Sequence, residues 1–248
     1  MAHESISGKT ALITGAAVRI GRAIALALAR EGVNIVAHYR HSRPEVEGLL
    51  AEVRGLGVEA WAVPADFEAR EEYESLLPRA TALAGDIQLL VNSAASFPLN
   101  TLQDITFEDL VQSTRVNAWA PFFLSRAFAC QGGPRKIVNL LDSRITGDDP
   151  THLAYILSKH LLAEFTRRCA VAFAPEVTVN GIAPGLILPP PGKDEAYLEA
   201  LHNTVPLKRH GDEWDIAEAA RYLLTSTFVT GTVIFVDGGR HVIEYRHG

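Results

Sequence analysis

Seven short apolar runs alternate with stretches of helical pattern along these 248 residues. The runs are 10–14, 33–39, 58–63, 87–91, 136–141, 177–182 and 232–236. Between them, residues 22–31, 44–54, 70–84, 107–129, 153–174 and 213–226 carry the 3.6-residue apolar period of helices, the 107–129 stretch being interrupted by Pro121. Strands joined through helices must run parallel, with the helices packed on both faces of one sheet. Right-handed crossovers leave few topologies. Strands 1–3 and 4–6 then form two halves of a doubly wound sheet, with a crevice where strand order reverses. Residues 1–248 contain no repeat, linker or low-complexity tract, so one domain is expected. Residues 186–206 are irregular apart from a short helix near 195–202, and the triple proline at 189–191 stiffens this loop.

Composition narrows the function classes. The formal net charge is −6, which argues against sequence-independent binding to nucleic acid. No apolar stretch approaches the length of a membrane span, no basic-then-apolar leader is visible at Met1–Ser5, and a reducing cytosol is the expected compartment. Cys130 and Cys169 read as small core residues, not as a disulfide or metal pair, and the histidines show no ligand spacing.

The turn after the first strand reads Thr14-Gly15-x-x-x-Arg19-Ile20-Gly21. Gly15 allows a tight turn and Gly21 a close helix approach, and the following helix N-terminus offers amides to a pyrophosphate. The middle position, usually a third glycine, is Arg19, a cation able to reach a phosphate. At the end of the second strand an acidic residue would hold the ribose of NAD. This chain has Tyr39-Arg40-His41-Ser42 there, so the expected cofactor is NADP(H), with Arg40, His41 and Ser42 around the 2′-phosphate. Asp66, just after the third strand, is expected to accept from the adenine amino group.

Tyr155 and Lys159 share a helix face at i, i+4. An ammonium there can stabilise a phenolate and bring a tyrosine toward working pH as a proton donor. Asp142 lies thirteen residues upstream, at the end of the fifth strand. An aspartate can relay a proton through Tyr155 to a ring nitrogen, which an imine-like C=N reduction requires as hydride arrives. Pro121, four residues after Asn117, lacks an N–H and frees the Asn117 carbonyl. That carbonyl is expected to hold a water feeding protons to Lys159.

Thr14-Gly15…Gly21, Asn92-Ser93-Ala94, Asn117, Tyr155…Lys159 and Pro184-Gly185 resemble, in order and spacing, the short-chain dehydrogenase/reductase superfamily. Three features are similar to its pteridine reductases: Arg19 in the glycine turn, Asp142 where most members carry a catalytic Ser, and Ser96-Phe97 after the Asn92 motif. The resemblance implies a single-domain, Rossmann-like doubly wound parallel α/β sheet of about seven strands. It implies Asp142, Tyr155, Lys159 and Asn117 as catalytic residues. It extends the cofactor contacts to Gly15, Arg19, Ile20, Gly21, Phe67, Asn92, Ser93, Ala94, Tyr155, Lys159, Pro184 and Gly185. Phe97 would stack on a flat heteroaromatic ring, with Ser96, Arg19, Asp142 and Tyr155 around it. Residues 186–205 would form a substrate lid, bringing Leu186, Leu188 and Tyr197. The implied partners are a pterin or folate substrate and further copies of the chain, as a homotetramer built on the long helices. Two departures stand out: Ser93 where the family usually has a second Asn, and Ala95 where related enzymes often have a Ser.

The expected activity is NADPH-dependent reduction of a pterin, with dihydrofolate as a candidate substrate. One alternative is an NADPH-dependent carbonyl reductase of the same fold. A second is a non-catalytic NADP(H)-sensing protein, against which the intact Asn117, Tyr155 and Lys159 set argues. The tail from Arg240 onward leaves two readings open, a frayed end or an arm to a neighbouring subunit.

Overall fold

The computed structural model describes residues 4–147, 149–190 and 192–244, residue 244 by its backbone only. Seven parallel strands lie in the order β3-β2-β1-β4-β5-β6-β7. They are β1 (Thr10–Thr14), β2 (Asn34–Tyr39), β3 (Ala60–Pro64), β4 (Leu89–Asn92), β5 (Arg135–Leu140), β6 (Val177–Pro184) and β7 (Val233–Val236). The order reverses between β1 and β4, whose register pairs Thr14 with Asn92. The carboxyl ends of those two strands therefore frame the crevice. Helices α1 (Arg19–Arg30), α2 (Arg43–Gly55), α3 (Arg70–Ala84), α4 (Phe107–Thr114), α5 (Ala120–Ala129), α6 (Leu153–Ala172), α7 (Glu195–Leu201), α8 (Glu213–Thr225) and α9 (Arg240–Glu244) follow in chain order.

One apolar layer joins α1, α2 and α8 to one face of the sheet, through Ile24, Leu28, Leu49, Ile216 and Leu223. A second joins α3, α5 and α6 to the other, through Leu76, Leu124, Phe128 and Cys169. Both faces are covered, which is why the central strands read as continuous apolar runs.

The structure corrects several sequence expectations. β6 continues through Ala183 to Pro184, beyond the apolar run at 177–182. The 107–129 helix carries a π-helical turn at Arg115–Trp119, in which the Ala120 N–H reaches back to the Arg115 carbonyl. Pro121 withholds the donor that would close the regular ladder, and the helix widens just before it. Cys130 is exposed, while Cys169 is buried and its thiol pushed up to about 11 by burial. Arg240–Glu244 is a helix, and residues 245–248 of the tail lie outside the described residues. So do Met1–His3, on which the absence of a leader was read, and Pro191 of the triple proline.

Candidate active site

Backbone geometry builds the nucleotide end of the crevice. Gly15 has φ +66°, and a Cβ there would come within 2.9 Å of the Ala94 Cα across the strand reversal. A Cβ on Gly21 would lie 2.3 Å from the Gly15 carbonyl oxygen, so both positions need glycine. Arg19 keeps the left-handed backbone of the glycine it replaces, at φ 56°. α1 begins there without a side-chain cap and with no acidic residue in its first turn. Its leading amides are left for a ligand, and the cradle fits a dinucleotide pyrophosphate.

Two polar side chains that the sequence reading did not assign to the site hold this cradle. Thr14 Oγ1 accepts from the Ser93 and Ala94 amides at 2.9 and 3.0 Å. The turn after β4 is thus anchored through its backbone, which is why Ser93 can replace the family's Asn. His38 Nδ1 accepts from the Gly15 N–H at 3.1 Å, so its Nε2–H donates to the Ala65 carbonyl at 3.0 Å. Phe67 stacks on the ring at 4.5 Å. Burial pushes the His38 pKa down to about 4. Phe67 is accordingly a core side chain, and only its backbone remains to meet a cofactor. The Asn92 side chain likewise points into the sheet, donating to Asn139 at 2.8 Å and Ser125 at 3.1 Å. Both had been expected among the cofactor contacts.

The end of β2 differs from expectation in one important respect. Arg40 pairs with Asp66 at 3.0 Å and Glu68 at 2.9 Å. Tyr39 lies opposite Pro64 in the β2–β3 register, so the residues following Pro64 arrive beside those following Tyr39. The site is therefore not free of carboxylates, and Asp66 is already engaged by Arg40 and by the Glu68 amide. His41 is exposed, and Ser42 sits at the start of α2.

At the other end, Tyr155 Oη donates to Asp142 Oδ2 at 3.0 Å, which brings together the pair spaced by thirteen residues. Burial, then the Asp142 charge, drive the Tyr155 phenol well above its ordinary value, while Arg144 opposes them. Lys159 Nζ donates to the Leu140 carbonyl at 2.7 Å and stands 5.6 Å from the Tyr155 ring centroid. Burial lowers Lys159 to about 8, against the attraction of Asp142. The expectation that Lys159 would pull Tyr155 down is thus not met, because desolvation and Asp142 dominate.

Asn117 acts through its side chain. Its Oδ1 accepts from the Ser96 amide at 2.8 Å, and its Nδ2 donates to the Ser96 carbonyl and Ser158 Oγ, both at 3.0 Å. These bonds fix the Phe97 loop to α6. Through them the Asn117 side chain positions the Phe97 loop.

Phe97 meets Tyr155 edge-on, with ring centroids 4.6 Å apart. His152 stacks on Phe97 at 3.9 Å. Arg19 reaches the lid, donating to the Pro189 carbonyl at 2.8 Å. Leu186 and α7 residue Leu198 form a small apolar cluster with Val205. Leu188 packs on the main core, and the Tyr197 ring is partly exposed on α7. A cavity of about 450 Å³ opens at the root of the lid, between Leu186, Val205, Leu207 and Phe235, and is lined by neither Asp142 nor Tyr155. Ile20 lies in the first turn of α1, and Ser96, Pro184 and Gly185 fall on the strand end and loops around the crevice, where Gly185 donates its amide to the Val236 carbonyl.

A doubly wound sheet, a glycine cradle at the strand reversal and a buried Tyr–Lys pair define a class of nucleotide-dependent oxidoreductases. The chain belongs to the short-chain dehydrogenase/reductase superfamily, and residues 15–241 match the family model described as Enoyl-(Acyl carrier protein) reductase. Among curated relatives, Oxidoreductase UcpA of Salmonella typhimurium is 32% identical over 256 aligned positions, covering 96% of this chain and 97% of that one. The 3-oxoacyl-[acyl-carrier-protein] reductase FabG of Staphylococcus epidermidis is 28% identical, covering 94% and 99%. Among solved structures, FolM Alternative dihydrofolate reductase 1 from Brucella canis, complexed with NADP, superposes with a TM-score of 0.89 at 30% identity, covering 96% of each chain.

Proposed function

We propose that this oxidoreductase reduces a pterin with NADPH, with dihydrofolate as a further candidate substrate. The hydrogen bond from Tyr155 to Asp142 carries the reading. A carbonyl reductase needs a neutral donor beside its tyrosine, whereas reduction of a ring C=N needs a proton delivered to nitrogen, and a carboxyl group can resupply it. Bound NADPH supplies the hydride. Tyr155 Oη gives its proton to the ring nitrogen, and Asp142, recharged from solvent, returns one to the phenolate. Lys159, held against the Leu140 carbonyl, offers a positive charge beside that phenolate. Phe97 walls the ring slot, and Arg19 links the phosphate cradle to the lid. The likeness to a FolM dihydrofolate reductase in complex with NADP supports both substrate class and cofactor. Arg40, His41 and Ser42 are assigned to the 2′-phosphate. By family resemblance the enzyme is a homotetramer built on its long helices, which its mass in solution tests.

A second reading, carbonyl reduction, is favoured by the likeness to FabG, a 3-oxoacyl reductase. NADPH oxidation by the purified protein separates the two, using dihydrobiopterin, dihydrofolate and a panel of ketones, with NADH in parallel. Turnover of pterins with NADPH preferred is the expected outcome. Turnover confined to ketones would overturn the pterin reading.

A further inference from the structure

Asp142 does not stand alone beside Tyr155. Arg144, two residues on in the 3₁₀ turn Ser143–Thr146, grips it bidentately through one edge of its guanidinium: Nε to Oδ1 at 3.0 Å and Nη2 to Oδ2 at 2.9 Å. The Arg144 backbone amide adds a third bond to Oδ1 at 2.9 Å. The remaining arm, Nη1, pairs with Asp149. Asp149 is fixed in turn by the Thr151 amide and hydroxyl, at 3.0 and 2.8 Å, and by His152 Nδ1 at 3.0 Å. His152 is the residue stacked on Phe97. The guanidinium carbon lies 5.5 Å from the Phe97 ring centroid and 5.9 Å from that of Tyr155. One buried network thus joins the proton donor, its carboxylate partner and the aromatic wall.

We propose that Arg144 is the positioning residue of this site, clamped between Asp142 and Asp149 so that Asp142 Oδ2 is aimed at the Tyr155 hydroxyl and the Phe97–His152 wall is locked to the same frame. A bidentate arginine fixes the plane of a carboxylate as well as its distance, which a lysine cannot do. The carboxylate of Asp142 would otherwise be free to turn about its side-chain torsions away from Tyr155. Asp149 divides the guanidinium charge between two acids and so sets how firmly Asp142 is held. The assignment rests on the pterin-reductase reading only for the identity of the proton acceptor.

The charged groups that face Asp142 are Arg144 on its own turn, and Tyr155 and Lys159 on α6. Asp149 and His152 form the outer ring. Arg240 and His241 lie on α9, which packs against residues 143–146, and His241 is engaged by Asp237. Removing the Arg144 charge while leaving the others takes away the cation that opposes the rise of the Tyr155 phenol, and should move the alkaline limb of the rate profile to higher pH.

The test compares wild type, Arg144→Gln, Arg144→Lys, Asp142→Asn and the double variant Asp142→Asn/Arg144→Gln, on whichever of dihydrobiopterin or ketone the wild type turns over best. Arg144→Gln should lower kcat at least tenfold, with NADPH affinity, read by fluorescence, within about twofold of wild type. Arg144→Lys should recover only part of that loss. The double variant should be no slower than Asp142→Asn, because Arg144 acts through Asp142. Crystals of Arg144→Gln should show the Tyr155–Asp142 bond of 3.0 Å broken, a readout that needs no substrate. A kcat within twofold of wild type, additive losses in the double variant, or an intact Tyr155–Asp142 bond would each overturn the proposal. Wild-type turnover restricted to ketones would overturn the pterin reading instead, and the same comparison would still decide the role of Arg144.

Discussion

At the nucleotide end of the crevice, His38 sits in the core as a neutral ring between the Gly15 amide and the Ala65 carbonyl. At the proton end, Asp142, Arg144, Asp149 and Lys159 crowd around Tyr155, and among the described residues no carboxylate pairs with the buried Lys159. The first end holds a backbone shape and needs no charge to do so. The second must move a proton, and it retains groups whose burial costs stability. Polar burial that serves shape should strengthen the fold when intact, whereas polar burial that serves chemistry should weaken it.

The largest expected effect is on turnover. Asp142→Asn keeps the size of the side chain and the two hydrogen bonds at Oδ1 but removes the acid. It should fold, bind NADPH normally and lose about a hundredfold or more in kcat, within the range that acid–base groups supply. Steady-state rates with a dihydropterin check this, and near-wild-type turnover would remove Asp142 from the chemistry.

The next two predictions set the ends of the crevice against each other. His38 titrates at about 4 when folded and at 6.5 when unfolded. Its folded value is the lower, so below pH 6.5 the unfolded chain binds the extra proton. Stability from this group is complete above pH 6.5 and falls as the pH drops toward 4, by up to about 3 kcal/mol. Urea midpoints between pH 7 and 4 should fall more steeply for wild type than for His38→Gln. Lys159 is lowered to about 8 from 10.5. At neutral pH the fold therefore carries a buried ammonium at a cost of up to about 3 kcal/mol, relieved only as pH rises from 8 to 10.5. Lys159→Met should abolish turnover and yet raise the melting temperature at pH 7. A lower melting temperature would mean that the bond to Leu140 outweighs the desolvation.

What could be read in the sequence follows the same division. Glycines that a Cβ would block, apolar runs and the i, i+4 Tyr–Lys pair leave marks in spacing alone, so the two halves of the parallel sheet were legible, and the family resemblance added the Asp142–Tyr155 pair. The Arg144 clamp was not, because an arginine two residues from an aspartate is ordinary sequence until a tight turn folds one onto the other. His38 was hidden for a different reason. It reads as one more residue of an apolar strand, and its partners Gly15 and Ala65 are brought to it only by the pairing of β2 with the strands on either side. Asn92 and Phe67 were assigned to the ligand through the family resemblance, yet the Asn92 side chain bonds Asn139 and Ser125 and the Phe67 ring, in the turn after β3, stacks on His38.

The smallest expected effect concerns the rim of the nucleotide end, where charge does enter. Arg40 is about half exposed and shared by Asp66 and Glu68. A 2′-phosphate arriving at Arg40 must compete with both carboxylates, and exposed pairs of this kind are individually weak, at about 1 kcal/mol or less. Glu68→Gln removes one competitor and one repelling charge while keeping the shape of the side chain. It should tighten NADPH by about threefold to fivefold and leave NADH almost unchanged, because only the phosphate feels the difference. Arg40→Ala should do the reverse and weaken NADPH alone. Fluorescence titrations with both nucleotides, repeated at high salt, separate this from a change in pocket shape, since a charge effect at an exposed rim shrinks with ionic strength. Equal shifts for the two nucleotides would place the 2′-phosphate away from Arg40, and would leave shape as the sole determinant at that end of the crevice.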